Sequence, residues 1–206
     1  MITDPLIRGV PRPTWDEQHM LAAMRAATRS SCLIRAVGAN LVRDNRSIAT
    51  GYNGAPPHVE SCLELEHCHY QKLAWQDSKN CGIDYDTLKE QYKPFCIAVH
   101  AEANAFGQSS RIGPTADGAI LYITNFPCPR CVRDHIIVNR LKAVKVWKDY
   151  LSNPLMSVDE RRESERLLGA AGIPLEIVDL SYGRIAELQR LEFVVGNRTE
   201  YKFQGD

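Results

Sequence analysis

The sequence predicts an α/β fold in which a mixed sheet carries helices on both faces. Three observations predict it: a capped helix at the start, a two-strand hairpin after it, and an alternation of strand and helix patterns in the second half. Thr14-Trp15-Asp16-Glu17 reads as a capping box, with Thr14 as N-cap and Glu17 reaching back. Leu21 and Met24 follow at helical spacing, which predicts a helix over 15–29. The runs 36–42 and 47–52, separated by the polar turn Arg43-Asp44-Asn45-Arg46, read as an antiparallel pair of strands. Residues 53–95 are polar, cysteine-bearing and weakly periodic, and read as one long connection. Beyond it the patterns predict helix 96–109, strand 119–124, helix 129–139 and strand 143–147. A second capping box at Ser157-Val158-Asp159-Glu160 opens a helix that stops near Gly172; strand 175–178 and helix 181–193 close the series. Strand–helix–strand–helix–strand implies parallel strands joined by right-handed crossovers. The initial hairpin makes the sheet mixed.

Composition narrows the function classes. The 206 residues fit one domain, here 1–206, and 44% hydrophobic with 24% charged residues is ordinary for a globular chain. The formal net charge is zero, so no global basic field exists to hold a polynucleotide or an anionic membrane surface. No apolar run approaches membrane-spanning length. Met1 to Pro13 lacks the basic start and apolar stretch of a signal peptide, so a cytoplasmic location is expected. Seven cysteines in such a chain point to metal binding or catalysis rather than disulfides.

Two short segments carry the chemistry. Cys128 and Cys131, in Pro127-Cys128-Pro129-Arg130-Cys131, are three apart at a predicted helix start. They share one face there, and the helix dipole favours thiolates. Alone, this pair is ambiguous and could be half of a structural zinc site or a redox pair. His100, in His100-Ala101-Glu102, supplies a third ligand. Three protein ligands leave the fourth tetrahedral position open to water, the mark of a catalytic rather than a structural zinc. Glu102, two residues on, does not readily share the metal with His100. It is placed to take a proton from the water and pass it to a substrate nitrogen. His-x-Glu followed by Pro-Cys-x-x-Cys is the signature of the zinc nucleobase deaminases. Lone His and Glu residues on a helix are usually solvated. Both motifs in the right order, with a strand between them, argue against that reading.

On these residues the chain resembles the deoxycytidylate (dCMP) deaminase family, from about Trp15 to Trp147. The matching segments are Arg29-Ser30-Ser31-Cys32, Val37-Gly38-Ala39, Gly51-Tyr52-Asn53-Gly54-Ala55-Pro56, His100-Ala101-Glu102-Ala103-Asn104-Ala105 and the Cys128–Cys131 segment. The Gly-Tyr-Asn-Gly segment sets this family apart from the tRNA adenosine deaminases. The resemblance implies a cytidine-deaminase-like three-layer α/β/α sandwich around a mixed five-stranded sheet. It implies a catalytic Zn²⁺ on His100, Cys128 and Cys131, with Glu102 as the catalytic proton carrier. It implies hydrolysis of dCMP to dUMP for thymidylate supply, and substrate contacts at Asn53, to the deoxyribose 3′-hydroxyl, and at Ala101. It also implies a homo-oligomer, often a hexamer, with dCTP and dTTP as effectors, nucleotides bound with Mg²⁺.

Four further cysteines, Cys32, Cys62, Cys68 and Cys96, fall where cysteines recur in such family members. They read either as a second, structural Zn²⁺ site anchoring the long connection or as ordinary buried thiols, with Cys81, His67 or His69 as substitutes for one ligand. In the metal reading, Cys96 lies one helical turn before His100 and braces it. Two departures stand out: Asn40 sits where the first strand usually carries an aliphatic residue, and the segment 68–96 is longer than in compact members. The sequence singles out no phosphate-binding residue among many Arg and Lys. Other cytosine substrates (dCTP, deoxycytidine), a polynucleotide substrate, and a non-enzymatic nucleotide-sensing module on the same fold remain alternatives; the neutral charge counts against the polynucleotide and an intact Glu102 against the module.

Overall fold

The computed structural model describes residues 11–112, 115–148 and 156–196. Five strands form one mixed sheet in the order β2-β1-β3-β4-β5, comprising β1 (Gly38–Arg43), β2 (Arg46–Tyr52), β3 (Ile120–Ile123), β4 (Ala143–Trp147) and β5 (Leu175–Val178). β1 runs antiparallel to both β2 and β3, whereas β3, β4 and β5 are parallel. The sequence-based expectation of a hairpin feeding a parallel series is met. Asp44 and Asn45 make the hairpin turn with φ of 51° and 56°, the left-handed pair that matches strand twist.

The period of two along β1 and β3 sorts their side chains between two cores. On one face Ala39, Leu41, Leu121 and Ile123 pack with Ala105 and Phe106 of α4 (Ala101–Ile112), with Ile136, and with Leu168 of α6 (Val158–Ala170). On the other, Val42 and Tyr122 pack with Met20, Leu21 and Ala23 of α1 (Trp15–Ala27) and Leu188 of α7 (Tyr182–Gly196). This is a three-layer α/β/α sandwich. Both anticipated capping boxes form: Thr14 Oγ1 accepts from the Glu17 amide, and Ser157 Oγ from the Glu160 amide. No helix among the described residues is long and apolar enough to cross a membrane.

Three local expectations need correction. Residues 53–95 are not a plain connection, because they contain α2 (His69–Cys81) and α3 (Tyr85–Tyr92), packed on each other and followed by a 3₁₀ turn, Lys93–Phe95. The apolar pattern is thin because only Tyr70, Ala74 and Leu88 of these helices are buried. Capping holds them instead: Gly82 ends α2 at φ 69°, and Asp84 accepts from the Thr87 amide at 2.9 Å. Second, the helix expected from Cys96 begins only at Ala101. Val99 pairs with Gly54 in an isolated bridge, Val99 N–H to Gly54 O at 2.8 Å, so Cys96 is not one helical turn before His100. Third, the helix expected over 129–139 is a short α turn, α5 (Pro129–Cys131), continued by a π-helix over Val132–Ile137, a form often found near functional sites.

Asn40, the departure in β1, is fully buried against α1. Its Nδ2 donates to the His19 carbonyl at 3.2 Å, while its Oδ1 and the Nε2 of buried His19 have no partner. An unsatisfied buried acceptor costs about 1–3 kcal/mol. Asn40→Leu, nearly the same volume, is therefore expected to raise stability by about 1 kcal/mol, read as a higher urea midpoint. A lower midpoint would overturn this expectation.

Candidate active site

The first turn of α4 and the short α5 meet at one edge of the sheet. His100 immediately precedes α4, and its carbonyl accepts from the Asn104 amide at 2.9 Å. Cys128 is the N-cap of α5, held extended by the following Pro129, and Cys131 closes that turn. His100 Nδ1 lies 3.5 Å from Cys128 Sγ and 3.3 Å from Cys131 Sγ. Among the described residues these three form the one group of potential ligands whose atoms all lie within 4.8 Å of one another. Zinc bonds of about 2.0 Å to nitrogen and 2.3 Å to sulfur span an edge of about 3.5 Å in a tetrahedron, so the donor set and its spacing fit that ion.

The charge state of the cysteines fits it too. Cys128 is the thiolate of the pair: the hydrogen bond from the Cys131 thiol, with help from His100, brings its pKa down to about 4. Cys131 holds the shared proton, its pKa driven up by that bond with Cys128 and then by burial. His100 is shifted upward, first by its contact with Cys128. A divalent cation would replace the shared proton.

Glu102, in the first turn of α4, is 4% exposed, and burial pushes its carboxyl up to about 7 against the opposing pull of His100. His100, Cys128 and Glu102 face a cavity of about 640 Å³. Its wall includes Asn53, Ala101 and Phe126 from the sheet side, and Tyr70, Lys89 and Lys93 from the α2–α3 region.

Asn53 sits at the centre of the cavity's corner. Its Oδ1 accepts from the Val37 amide at 2.8 Å and lies 2.8 Å from Ser30 Oγ, and its Nδ2 donates to the Arg35 carbonyl at 3.0 Å. One amide hydrogen of Nδ2 remains for a ligand. Ala101 is fully buried at the start of α4 and also lines the cavity. The sequence reading overlooked three residues that hold this arrangement. Ser30 and Asn104 stood inside motifs already singled out, and Asn104 Nδ2 donates to the Tyr52 carbonyl at 2.9 Å, tying α4 to β2. Ser164, fully buried in a run of charged residues, donates to the Pro127 carbonyl at 2.9 Å and ties α6 to the cysteine loop. Nothing in its sequence neighbourhood signals this.

The remaining cysteines do not assemble comparably. Cys62 is buried, Cys32 and Cys68 are half-buried, and Cys96 is exposed. They lie within electrostatic reach of one another, and Cys68 is pushed up to about 11, chiefly by burial and then by its Cys62, Cys96 and Cys32 neighbours. Their sulfurs are not within one ion's reach as the catalytic set is. Cys81 is exposed at the end of α2; His69 begins that helix, and His67 Nδ1 engages the Leu65 carbonyl.

The sequence profile of the cytidine and deoxycytidylate deaminase zinc-binding region matches residues 13–148. The chain belongs to the cytidine and deoxycytidylate deaminase family. ComE operon protein 2 of Bacillus subtilis is 31% identical over 194 residues, covering 90% of this chain and 83% of that protein. The deoxycytidylate deaminase of Schizosaccharomyces pombe is 39% identical over 122 residues, 58% of this chain but only 33% of its own length. That of Mycobacterium phage D29 is 39% identical over 121 residues, 84% of its length. In fold, the dCMP deaminase of cyanophage S-TIM5, solved with dCMP and dUMP, superposes over 82% of this chain and 99% of that chain with a TM-score of 0.57 at 24% identity.

For this family member, Cys128→Ala is expected to abolish zinc binding and deaminase turnover together, measured by elemental analysis beside an ammonia-release assay. Full zinc occupancy in that variant would take Cys128 out of the ligand set.

Proposed function

We propose that this chain is a zinc-dependent hydrolase that converts dCMP to dUMP and ammonia, supplying thymidylate synthesis, with residues 1–206 acting as one domain. The observation that carries the reading is Glu102. A carboxyl buried beside a His/Cys/Cys set in a nucleotide-sized cavity is costly to a fold and useful to a proton transfer. Zinc held by His100, Cys128 and Cys131 would supply Lewis acidity and an acidified water.

The chain's own residues do the rest. Glu102, lifted toward neutrality by burial, accepts and returns a proton near pH 7, which suits moving it from water to cytosine N3 and onward to the leaving amino group. Asn53, locked by Ser30, Val37 and Arg35, keeps one N–H for the 3′-hydroxyl of deoxyribose. Ala101 and Phe126 form apolar wall that limits water. Relatives named deoxycytidylate deaminases support dCMP over other cytosine substrates. An intact Glu102 speaks against a purely sensing module. Homo-oligomerisation up to a hexamer and control by dCTP and dTTP with Mg²⁺ enter this proposal from the family resemblance, and a cytoplasmic location from the sequence reading.

Assays of dCMP, dCTP, deoxycytidine and a single-stranded oligonucleotide side by side test the reading. dCMP is expected to have the highest kcat/KM, and a preference for any of the other three would overturn it. Glu102→Gln should keep zinc and substrate binding but lose at least about a hundredfold in kcat. Near-normal turnover would assign the proton to another group.

The structural zinc on Cys32, Cys62, Cys68 and Cys96 belongs to the same proposal, supported by the mutual proximity of the four thiols. Closing such a site requires the sulfurs to draw together around the ion. Two zinc per chain, falling to one in Cys62→Ala with cleavage of the 53–95 segment by protease, is the expected result. One zinc per chain in fully active protein excludes it.

A further inference from the structure

Three cations line the cavity: Arg35, Lys89 and Lys93. Lys93 is matched by Glu90, 2.5 Å away. Lys89 lies over the Tyr85 ring, with its ammonium 5.8 Å from the ring centre, and makes no ion pair with a described residue. Arg35 is the informative one. Its side chain is half-buried, and its guanidinium makes no ion pair or hydrogen bond with any described residue. The groups acting on it most strongly are Cys32, Glu160, Tyr70 and Cys128. Glu160 is the one carboxylate of the four, and its Oε2 is already engaged by the Ser157 amide and hydroxyl at 3.0 and 3.1 Å. Burial works against the charge, lowering the guanidinium's pKa, yet Arg remains a cation at any ordinary pH. A partly desolvated guanidinium with no ion-pair or hydrogen-bond contact among the described residues, beside the His/Cys/Cys group, is a standing cost that an anionic ligand would relieve.

Its backbone adds direction. The Arg35 carbonyl accepts from Asn53 Nδ2 at 3.0 Å and lies 3.1 Å from Ser30 Oγ. The residue is therefore rigidly joined to the one that holds a free amide N–H over the same cavity. A deoxynucleotide carries its phosphate on the same sugar as its 3′-hydroxyl, so groups recognising the two should share one corner.

We propose that Arg35 is a specificity-determining residue whose guanidinium takes the phosphate of the nucleotide substrate, making the chain prefer a cytosine nucleotide over the nucleoside. The inference rests on the deaminase reading for the identity of the substrate. The planar fork matches two phosphate oxygens at once, which a lysine ammonium cannot do. Lys89, across the cavity on α3, adds a second unmatched positive charge to the same space.

The test uses zinc-loaded wild type, Arg35→Met and Arg35→Lys. Steady-state kinetics on dCMP and deoxycytidine are measured beside calorimetric binding of dUMP, deoxyuridine and inorganic phosphate. Loss of a charge-assisted phosphate contact is expected to raise KM for dCMP and Kd for dUMP on the order of tenfold to a hundredfold in Arg35→Met. The ratio of dCMP to deoxycytidine kcat/KM should collapse by the same factor, with zinc content unchanged and Arg35→Lys recovering part of the loss. Equal weakening of dUMP and deoxyuridine would show a packing role and overturn the proposal. So would a wild type that binds dUMP no more tightly than deoxyuridine. A wild type that deaminates no cytosine substrate refutes the deaminase reading alone, because the dUMP, deoxyuridine and phosphate comparison still decides the role of Arg35.

Discussion

Helix α4 lies so close to β2 that a methyl group at Gly51 would stand 2.2 Å from the Ala101 carbonyl oxygen and 2.4 Å from the Ala105 amide nitrogen. No side chain larger than hydrogen fits there, and the helix bearing Glu102 can reach its place only because residue 51 has none. The next three residues complete the junction. The Tyr52 carbonyl accepts from Asn104, Asn53 crosslinks the loop after α1, and Gly54 pairs with Val99 just ahead of His100. A Cβ on Gly54 would also meet Ser31 Oγ at 2.5 Å. The four-residue segment thus sets where α4 starts, and so where His100 and Glu102 sit relative to Cys128 and Cys131.

The opposite half of the site is held less directly. α5 has only three residues, too few to be stable alone, and a π-helix follows it. Its position depends on neighbours: Val132 and Ile136 enter the core, and Ser164 grips the Pro127 carbonyl from α6. Bringing a carboxyl, two thiols and an imidazole into partly buried space opposes folding unless a cation neutralises them. A bound zinc would offset that opposition, so metal affinity and stability should be linked. On the far face, the Asp16 carboxylate accepts from Tyr122 Oη and from Lys145 Nζ, and Glu17 pairs with Arg184 at 2.8 Å, tying α1 to the sheet and to α7.

The strands and most helices were legible because their burial is regular: β1 alternates between two cores, and both capping boxes announced their helices. The His/Cys/Cys group was legible because three ligand residues at such spacing have few other uses. What escaped notice lacked a periodic signal. α2 and α3 bury three residues between them, so their evidence lay in Gly82 and Asp84 rather than in an apolar stripe. The start of α4 was misplaced because Ile97-Ala98-Val99 is apolar enough to continue a helix, while the bridge to Gly54, far away in sequence, claims Val99 as extended chain. Arg35 was one of many cations in the sequence, and only its burial without a partner distinguishes it.

A net charge of zero and an anionic substrate are compatible because the field that matters is local. Paired charges on the outer surface, such as Arg161 with Glu165 and Arg166 with Glu163, cancel at short range and leave little beyond the Debye length of about 8 Å at physiological salt. Inside the cavity the balance differs: Lys93 pairs with Glu90, the Glu160 carboxylate is held by its helix cap rather than by Arg35, and neither Arg35 nor Lys89 makes an ion pair with a described residue. Zinc held by two thiolates and a neutral imidazole would contribute no net charge, so Arg35, Lys89 and Glu160 would shape the potential a ligand meets. The 68–96 segment gains a functional meaning from this. It supplies Tyr70, Lys89 and Lys93 to the outer wall of the cavity over His100, Cys128 and Glu102.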